Sequence, residues 1–172
     1  MEGLVMGTRS GNLDPIAALQ LKRKAGLDDD GLENYLNTRC GLLGLSGLTS
    51  DMLRLLESES QGNARAALAV EAFVHRARKF VAGAAAALGG VDRVIFTAGI
   101  GEREPRIRAR ICQGLEWMGL RLDAQRNADA VAVDADLQAA GSPVAIATME
   151  TREMEEMALR ASEILETEIQ AA

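Results

Sequence analysis

The residues whose types and spacing could do chemistry lie at positions 97–108, Thr-Ala-Gly-Ile-Gly-Glu-Arg-Glu-Pro-Arg-Ile-Arg. An apolar run, Val94-Ile95-Phe96, leads into Gly99-Ile100-Gly101-Glu102. Pro105 then opens a helical pattern carrying Ile107, Ile111 and Leu115. A strand, a glycine turn and a helix in that order let backbone N–H groups approach phosphate oxygens, with a helix N-terminus behind them. The same features also build a plain strand-to-helix turn, so both readings stand on these residues alone. Other chemistries find little support. The single histidine, His75, sits inside a long helical pattern, and there is no Cys-x-x-Cys, so a zinc site lacks ligands. A Ser-His-Asp triad would have to use His75, and no nucleophile elbow accompanies it. Cys40 and Cys112 fall on apolar sides of helical patterns, as small core residues do.

The elements that must position this turn are mostly helical. A short apolar start at 3–6 reads as a strand end followed by a loop. Asp14-Pro15 starts a helix carrying Ile16, Leu19 and Ala25 and stopped by Gly26. Asp28 to Asp30 can cap a second helix with Leu32, Tyr35, Leu36 and Cys40. Residues 41–47, glycine-punctuated and apolar, read as a buried connection. Ser50-Asp51 caps a short helix ending near Glu57. Gln61-Gly62-Asn63 begins the longest pattern, which runs to Gly89-Gly90, with Ala66, Val70, Phe73, Ala77, Phe80, Val81, Ala84 and Leu88 at helical spacing. About 25 residues of helix span roughly 37 Å. A strand at 94–98 and a helix from Pro105 to Met118, ended by Gly119, come next. Residues 120–141 are mixed, with a helix or loop around 123–128. A short strand at 144–148 precedes an amphipathic helix from Arg152 to about Ile169, with Met154, Met157, Ala158, Ala161, Leu165 and Ile169 on one side. The expectation is a layered α/β domain. Two or three strands make a thin sheet for helices this long; either strands are hidden or the chain is part of a larger protein.

The 172 residues suffice for one domain with a core, and 48% hydrophobic with 26% charged residues fits a soluble globular chain. Aromatics are only 3%, so alanine, leucine, valine and methionine must fill the core. A net charge of −6 argues against a nucleic-acid or anionic-membrane surface. No uncharged 18-residue apolar run and no signal peptide are present, which makes cytoplasm the expected location.

Four linked segments resemble the acetate kinase family, acyl-phosphate-forming kinases of the actin/sugar-kinase superfamily. They are GLVMGTRSGNLDP (3–15), ENYLNTRCGLLGLSGLTSDM (33–52), VIFTAGIGE (94–102) with Pro105, Arg108, Cys112 and GLEWMGLRLD (114–123) beyond it, and SPVAIATMETRE (142–153). Order and spacing fit over nearly the whole chain. The resemblance implies a ribonuclease-H-like nucleotide-binding domain, helix-rich with a small sheet. Residues 1–172 would form a single domain resembling the C-terminal half of such an enzyme, with the N-terminal domain, which carries the acyl pocket, absent. Implied cofactors are ATP/ADP and Mg2+. Implied partners are a short-chain carboxylate such as acetate and a second copy in a homodimer. The implied activity is reversible phosphoryl transfer between ATP and acetate, with the chain alone inactive. A non-catalytic nucleotide-binding or dimerisation module, or the same half of a propionate or butyrate kinase, are the alternatives. A Rossmann dehydrogenase fits poorly, since the third glycine and the acidic ribose ligand are missing.

Roles carry over residue by residue as the resemblance implies them. Arg9 matches the arginine that contacts the transferring phosphoryl group, where a planar guanidinium gives bidentate donors; in isolation it reads as a surface arginine. Gly99, Ile100, Gly101 and Glu102 match the phosphate- and adenosine-facing turn. Arg108 matches an arginine near the nucleotide, although a solvated helix face would explain it nearly as well: Arg103, Arg106 and Arg110 share one side of the wheel and Arg108 stands apart beside Ile107 and Ile111. Asp51 and Met52 match the segment that holds adenosine. The family then has arginine, where this chain has Leu53, with Arg54 one position later. Arg103 replaces the usual asparagine after the turn. Glu153 matches the glutamate linked to magnesium, and Glu150 competes with it; one carboxylate suffices for magnesium alongside phosphates and waters. An acidic first turn favoured by the helix dipole is the plain reading of Glu153.

Overall fold

The structure is a computed structural model that describes residues 3–171. Helix α1 (Pro15–Ala25) starts as its sequence dictates: the Asp14 carboxylate accepts the N–H groups of Ile16 and Ala17 at 2.8 and 3.1 Å, and Pro15 occupies the first turn. Asp28 caps α2 (Asp29–Thr38) through the Gly31 N–H. The expected strand end at 3–6 is absent among the described residues. Its backbone instead joins the start of α3 (Gly41–Ser46), where Leu42 and Leu43 N–H groups donate to the carbonyls of Met6 and Gly7 at 2.8 and 3.0 Å. Residues 41–47, expected as a connection, are thus helical. Gly41 sits at φ 60 with its missing Cβ facing the Met6 carbonyl, a space that no side chain could share.

Helix α4 (Met52–Ser60) is capped by Asp51, and α5 (Ala64–Leu88) by Asn63, whose side-chain Oδ1 accepts the N–H groups of Arg65 and Ala66 at 3.0 Å. The first half of α5 buries Val70, Phe73 and Val74 against Leu42, Leu55 and Leu56. Each such side chain contributes about 1.5–3 kcal/mol on full burial, which makes this cluster the anchor of the core.

Strand β1 (Arg93–Phe96) runs parallel to β3 (Ala145–Thr148), Arg93 opposite Ala145 and Phe96 opposite Thr148; β2 (Ala135–Asp136) pairs antiparallel on the far side of β3. The order is β1-β3-β2, so β1 is an edge. After it come α6 (Ala98–Arg103) and α7 (Pro105–Cys112). The helix expected to reach Met118 stops at Cys112. Gly114 lies where a Cβ would meet the Arg78 side chain at 2.6 Å, and a 3-10 turn at Glu116–Met118 follows, closed by Gly119 at φ 94. Helix α8 (Ala124–Asp129) fills the mixed stretch, capped by Asp123. Helix α9 (Glu153–Ala171) carries its apolar residues in the open: Met154, Met157, Leu159 and Ile164 are all exposed. The side chains of Leu165 and Ile169, expected on that face, lie outside the described residues, as does Met1.

Candidate functional site

The turn after β1 is tighter than a glycine loop. Residues 98–103 are already helical, and the left-handed residue that reverses the chain is Ala98, at φ 58, rather than either glycine. The two glycines do different work. A Cβ on Gly99 would meet nothing within 4 Å, so the space beside it is open. A Cβ on Gly101 would lie 3.2 Å from the Phe96 carbonyl carbon, so that glycine lets α6 close onto β1. In the first turn of a helix, N–H groups such as those of Gly99 and Ile100 have no intrahelical acceptor. They are the donors this turn offers.

Glu102 points inward. Its Oε1 accepts both the N–H and the hydroxyl of Thr151 at 2.9 Å, and the residue is only 7% exposed. The Thr151 N–H, foremost, holds this carboxyl below its usual range, and the Ala98 N–H acts in the same sense. Glu102 ties the turn to the corner that leads into α9. Thr151 lies in the fourth family-like segment, which marks the position but not this contact.

Arg108 corrects both sequence readings. It is neither on a solvated face nor open to a nucleotide, being fully buried at 0% exposure. Its guanidinium donates to the carbonyls of Gly101, Glu102, Asn127 and Ala130 and to the Asn127 side-chain oxygen, at 2.5–3.1 Å. Five acceptors saturate the planar fork, which is how a buried arginine keeps its charge. Burial pulls its pKa down from the ordinary value. Asn127 completes the hub by donating to the Pro105 carbonyl at 2.9 Å. The expected shared face of Arg103, Arg106 and Arg110 also divides: Arg103 is exposed on α6, Arg106 pairs with Glu104, and Arg110 makes a two-pronged bond to Glu59 at 2.7 and 3.0 Å.

Arg9 is exposed and its backbone is held on both sides. Thr8 donates its hydroxyl to the Asn37 carbonyl at 2.9 Å, and the Ser10 N–H donates to the Leu36 carbonyl at 2.8 Å. Its loop neighbour Gly7 packs against Ser50, with 3.3 Å between the Ser50 Cβ and the position a Gly7 Cβ would take, so this loop adjoins Asp51. Asp51 is exposed and spends one oxygen on the Arg54 N–H. Met52 is 4% exposed and belongs to the core, so its side chain is unavailable to a ligand. Leu53, where the family has arginine, and Arg54 both face outward on α4. Glu150 and Glu153 are exposed, and neither carboxylate has a cation partner among the described residues. No three His, Cys, Asp or Glu side chains among those residues converge as a metal cage. A lone exposed carboxylate is the donor set magnesium takes when phosphates and waters complete its shell.

An arginine on an anchored loop, a first-turn donor pair and a tethered acidic helix start thus lie on one helix-rich α/β frame, and the family that this frame belongs to is one of phosphotransferases. The chain belongs to the Acetokinase family, whose model matches residues 1–159. It is 50% identical over 153 residues to the acetate kinase of Solibacter usitatus, covering 88% of this chain and 35% of that one. The crystal structure of Porphyromonas gingivalis acetate kinase superposes with a TM-score of 0.87 at 35% identity, over 95% of this chain and 41% of that one. A propionate kinase from Francisella tularensis matches at 0.80 and 35% identity, over 88% and 38%. The expected actin/sugar-kinase type of fold holds. The chain spans between 35% and 41% of the length of these relatives.

Proposed function

We propose that this chain provides the ATP-handling part of an acetate kinase, in which phosphate passes reversibly between ATP and acetate. The observation that carries the reading is the Glu102–Thr151 tie, which holds the start of α9, with Glu153, against the turn that offers the Gly99 and Ile100 N–H groups. Phosphoryl transfer asks for positioning and for positive charge on the equatorial oxygens. Arg9, on its anchored loop, supplies bidentate donors to the transferring group. Gly99 leaves room for the phosphates at the first turn of α6, and Asp51 lies at the adenosine side. Glu153, with Glu150 as the competitor, would hold Mg2+, which when bound neutralises charge on the phosphates. Acetate, a homodimeric state and a cytoplasmic location belong to the same proposal. The carboxylate pocket belongs to the part of the relatives that this chain does not span, so the chain alone should make little or no acetyl phosphate.

Calorimetric titration with ATP and magnesium tests the reading. Saturable binding is expected, weakened by Arg9→Ala, and weakened by Glu153→Ala only when magnesium is present. Glu150→Ala should leave it unchanged. A folded chain that takes up no ATP would overturn the assignment. A second reading, a dimerisation module, draws on the exposed Met154, Met157 and Leu159 of α9. Sedimentation showing a monomer at high concentration would count against it.

A further inference from the structure

Strand β3 ends at Thr148, but the chain beyond it stays bonded on both flanks, one residue at a time. The Thr148 hydroxyl donates to the Val133 carbonyl at 2.8 Å, and the Met149 N–H to the Phe96 carbonyl at 3.0 Å. The Glu150 N–H donates to Asp134 Oδ1 at 2.7 Å, and Thr151 to Glu102 Oε1 at 2.9 Å through both its N–H and its hydroxyl. The Glu153 N–H then turns back to the Thr151 carbonyl at 2.9 Å as α9 begins. Residues 148–151 are thus held between the stretch before β2 on one side and the end of β1 with its turn on the other.

The last two holds differ from the first two, because their acceptors are carboxylates. A bond from N–H to a carboxylate is roughly twice as strong as one between neutral groups, and stronger still away from water. Asp134 is exposed, whereas Glu102 is buried. The Ala98 N–H, at the head of α6, is directed at the same Glu102 carboxylate. Every residue of α9 from Glu153 to Arg160 is exposed, so packing does little to fix where this helix starts. The two carboxylates supply what packing does not.

We propose that Glu102, and more weakly Asp134, are positioning residues that act through Glu153. They set the place of its carboxylate relative to the N–H donors of the Gly99 turn, and so couple magnesium to nucleotide binding. The inference rests on the ATP reading above and adds this coupling to it. Removing a group that orients a metal-linked residue typically lowers metal affinity by about 10- to 100-fold.

The test is calorimetric titration of the full chain with ATP, with and without magnesium, which gives one ratio of dissociation constants per variant. A generally loosened fold weakens both titrations together, whereas lost positioning lowers the ratio. Glu102→Ala should lower it by about 10-fold or more. Asp134→Ala, at an exposed position, should lower it less. Glu102→Gln keeps an oxygen able to accept both Thr151 donors and should restore most of the ratio. Thr151→Val loses the hydroxyl and keeps the N–H, so its ratio should fall between those of Glu102→Ala and the parent. Amide exchange at Thr151 and Glu153, read without ATP, should quicken by about 10-fold in Glu102→Ala. A folded Glu102→Ala with the parent's ratio or the parent's exchange would overturn the inference, as would Glu102→Gln impaired as deeply as Glu102→Ala. If Glu102→Ala does not fold, Thr151→Val at the parent's ratio is the overturning result. A parent that binds no ATP sinks the ATP reading and the coupling with it, whereas ATP binding with a ratio that no variant alters sinks the coupling alone.

Discussion

The two halves of α5 carry the same kind of sequence and meet different surroundings. Phe73 and Phe80 both fall on its apolar stripe, yet Phe73 is 6% exposed and Phe80 37%. The first half is roofed by α3 and α4 through Leu42, Leu55 and Leu56. The second half looks into the groove beside β1 and ends with Leu88 at 79% exposure. In the Arg108 hub every guanidinium donor has an acceptor, whereas the far edge of β1 faces no strand among the described residues. Helical periodicity records which face of a helix is apolar. It does not record whether any part of the chain covers that face.

Truncation should separate the halves most sharply. Phe73→Ala is expected to cost about 3–5 kcal/mol in urea unfolding, through lost transfer energy and a cavity, and Phe80→Ala less than about 1 kcal/mol. Equal losses at the two positions would mean that the groove is filled in solution. Arg108→Ala should cost about 3 kcal/mol or more, since it strands buried carbonyls at Gly101, Glu102, Asn127 and Ala130. A variant within 1 kcal/mol of the parent would show the hub to be dispensable. The Glu102 carboxyl has its folded-state pKa held below its ordinary 4.5. The folded form thus binds fewer protons than the unfolded one; the contribution is complete above about pH 4.5 and fades as pH falls through the folded value. Melting curves between pH 6 and 3 should therefore slope less steeply for Glu102→Gln than for the parent, and identical slopes would remove Glu102 from the acid response. Cys112 is 2% exposed and burial pushes its thiol up to about 12. A thiol reagent at pH 8 should spare it in the native chain and label it in urea. The smallest change expected is at Ala98. Its φ of 58 costs roughly 1–2 kcal/mol, partly offset by the greater freedom of glycine when unfolded, so Ala98→Gly should gain less than about 1 kcal/mol.

Where local chemistry decides, the sequence was readable. Asp14, Asp28 and Asp51 cap the helices they were expected to cap, and the parallel pair forms at the two apolar runs. Helix α3 was not, because its glycines signal breaks while their cause is tertiary. A Cβ on Gly44 would lie 2.8 Å from the Arg39 carbonyl, so the residue is small for packing, not for turning. The site divides the same way. Arg9, Asp51 and Glu153 are exposed at positions the motifs marked. Arg108 was placed by its motif but misread in its role, although its seat beside Ile107 and Ile111 was the available sign of burial. Thr151 lay inside a marked segment without a sign of its bond to Glu102, and Asn127 gave no sign at all, since a neutral polar residue in an irregular stretch looks alike whether it anchors a network or faces water.

The bond between Arg110 and Glu59 makes α4 a strut. Asp51 caps one end of this nine-residue helix, and the last turn at the other end is fastened to α7 by two parallel hydrogen bonds. Helix α7 in turn grips the Gly101 and Glu102 carbonyls through Arg108. The two stretches of chain proposed for the nucleotide, around Asp51 and around Gly101, are thereby held at a set spacing by a linkage of helices and guanidinium forks, much as the jaws of a caliper are set by its beam.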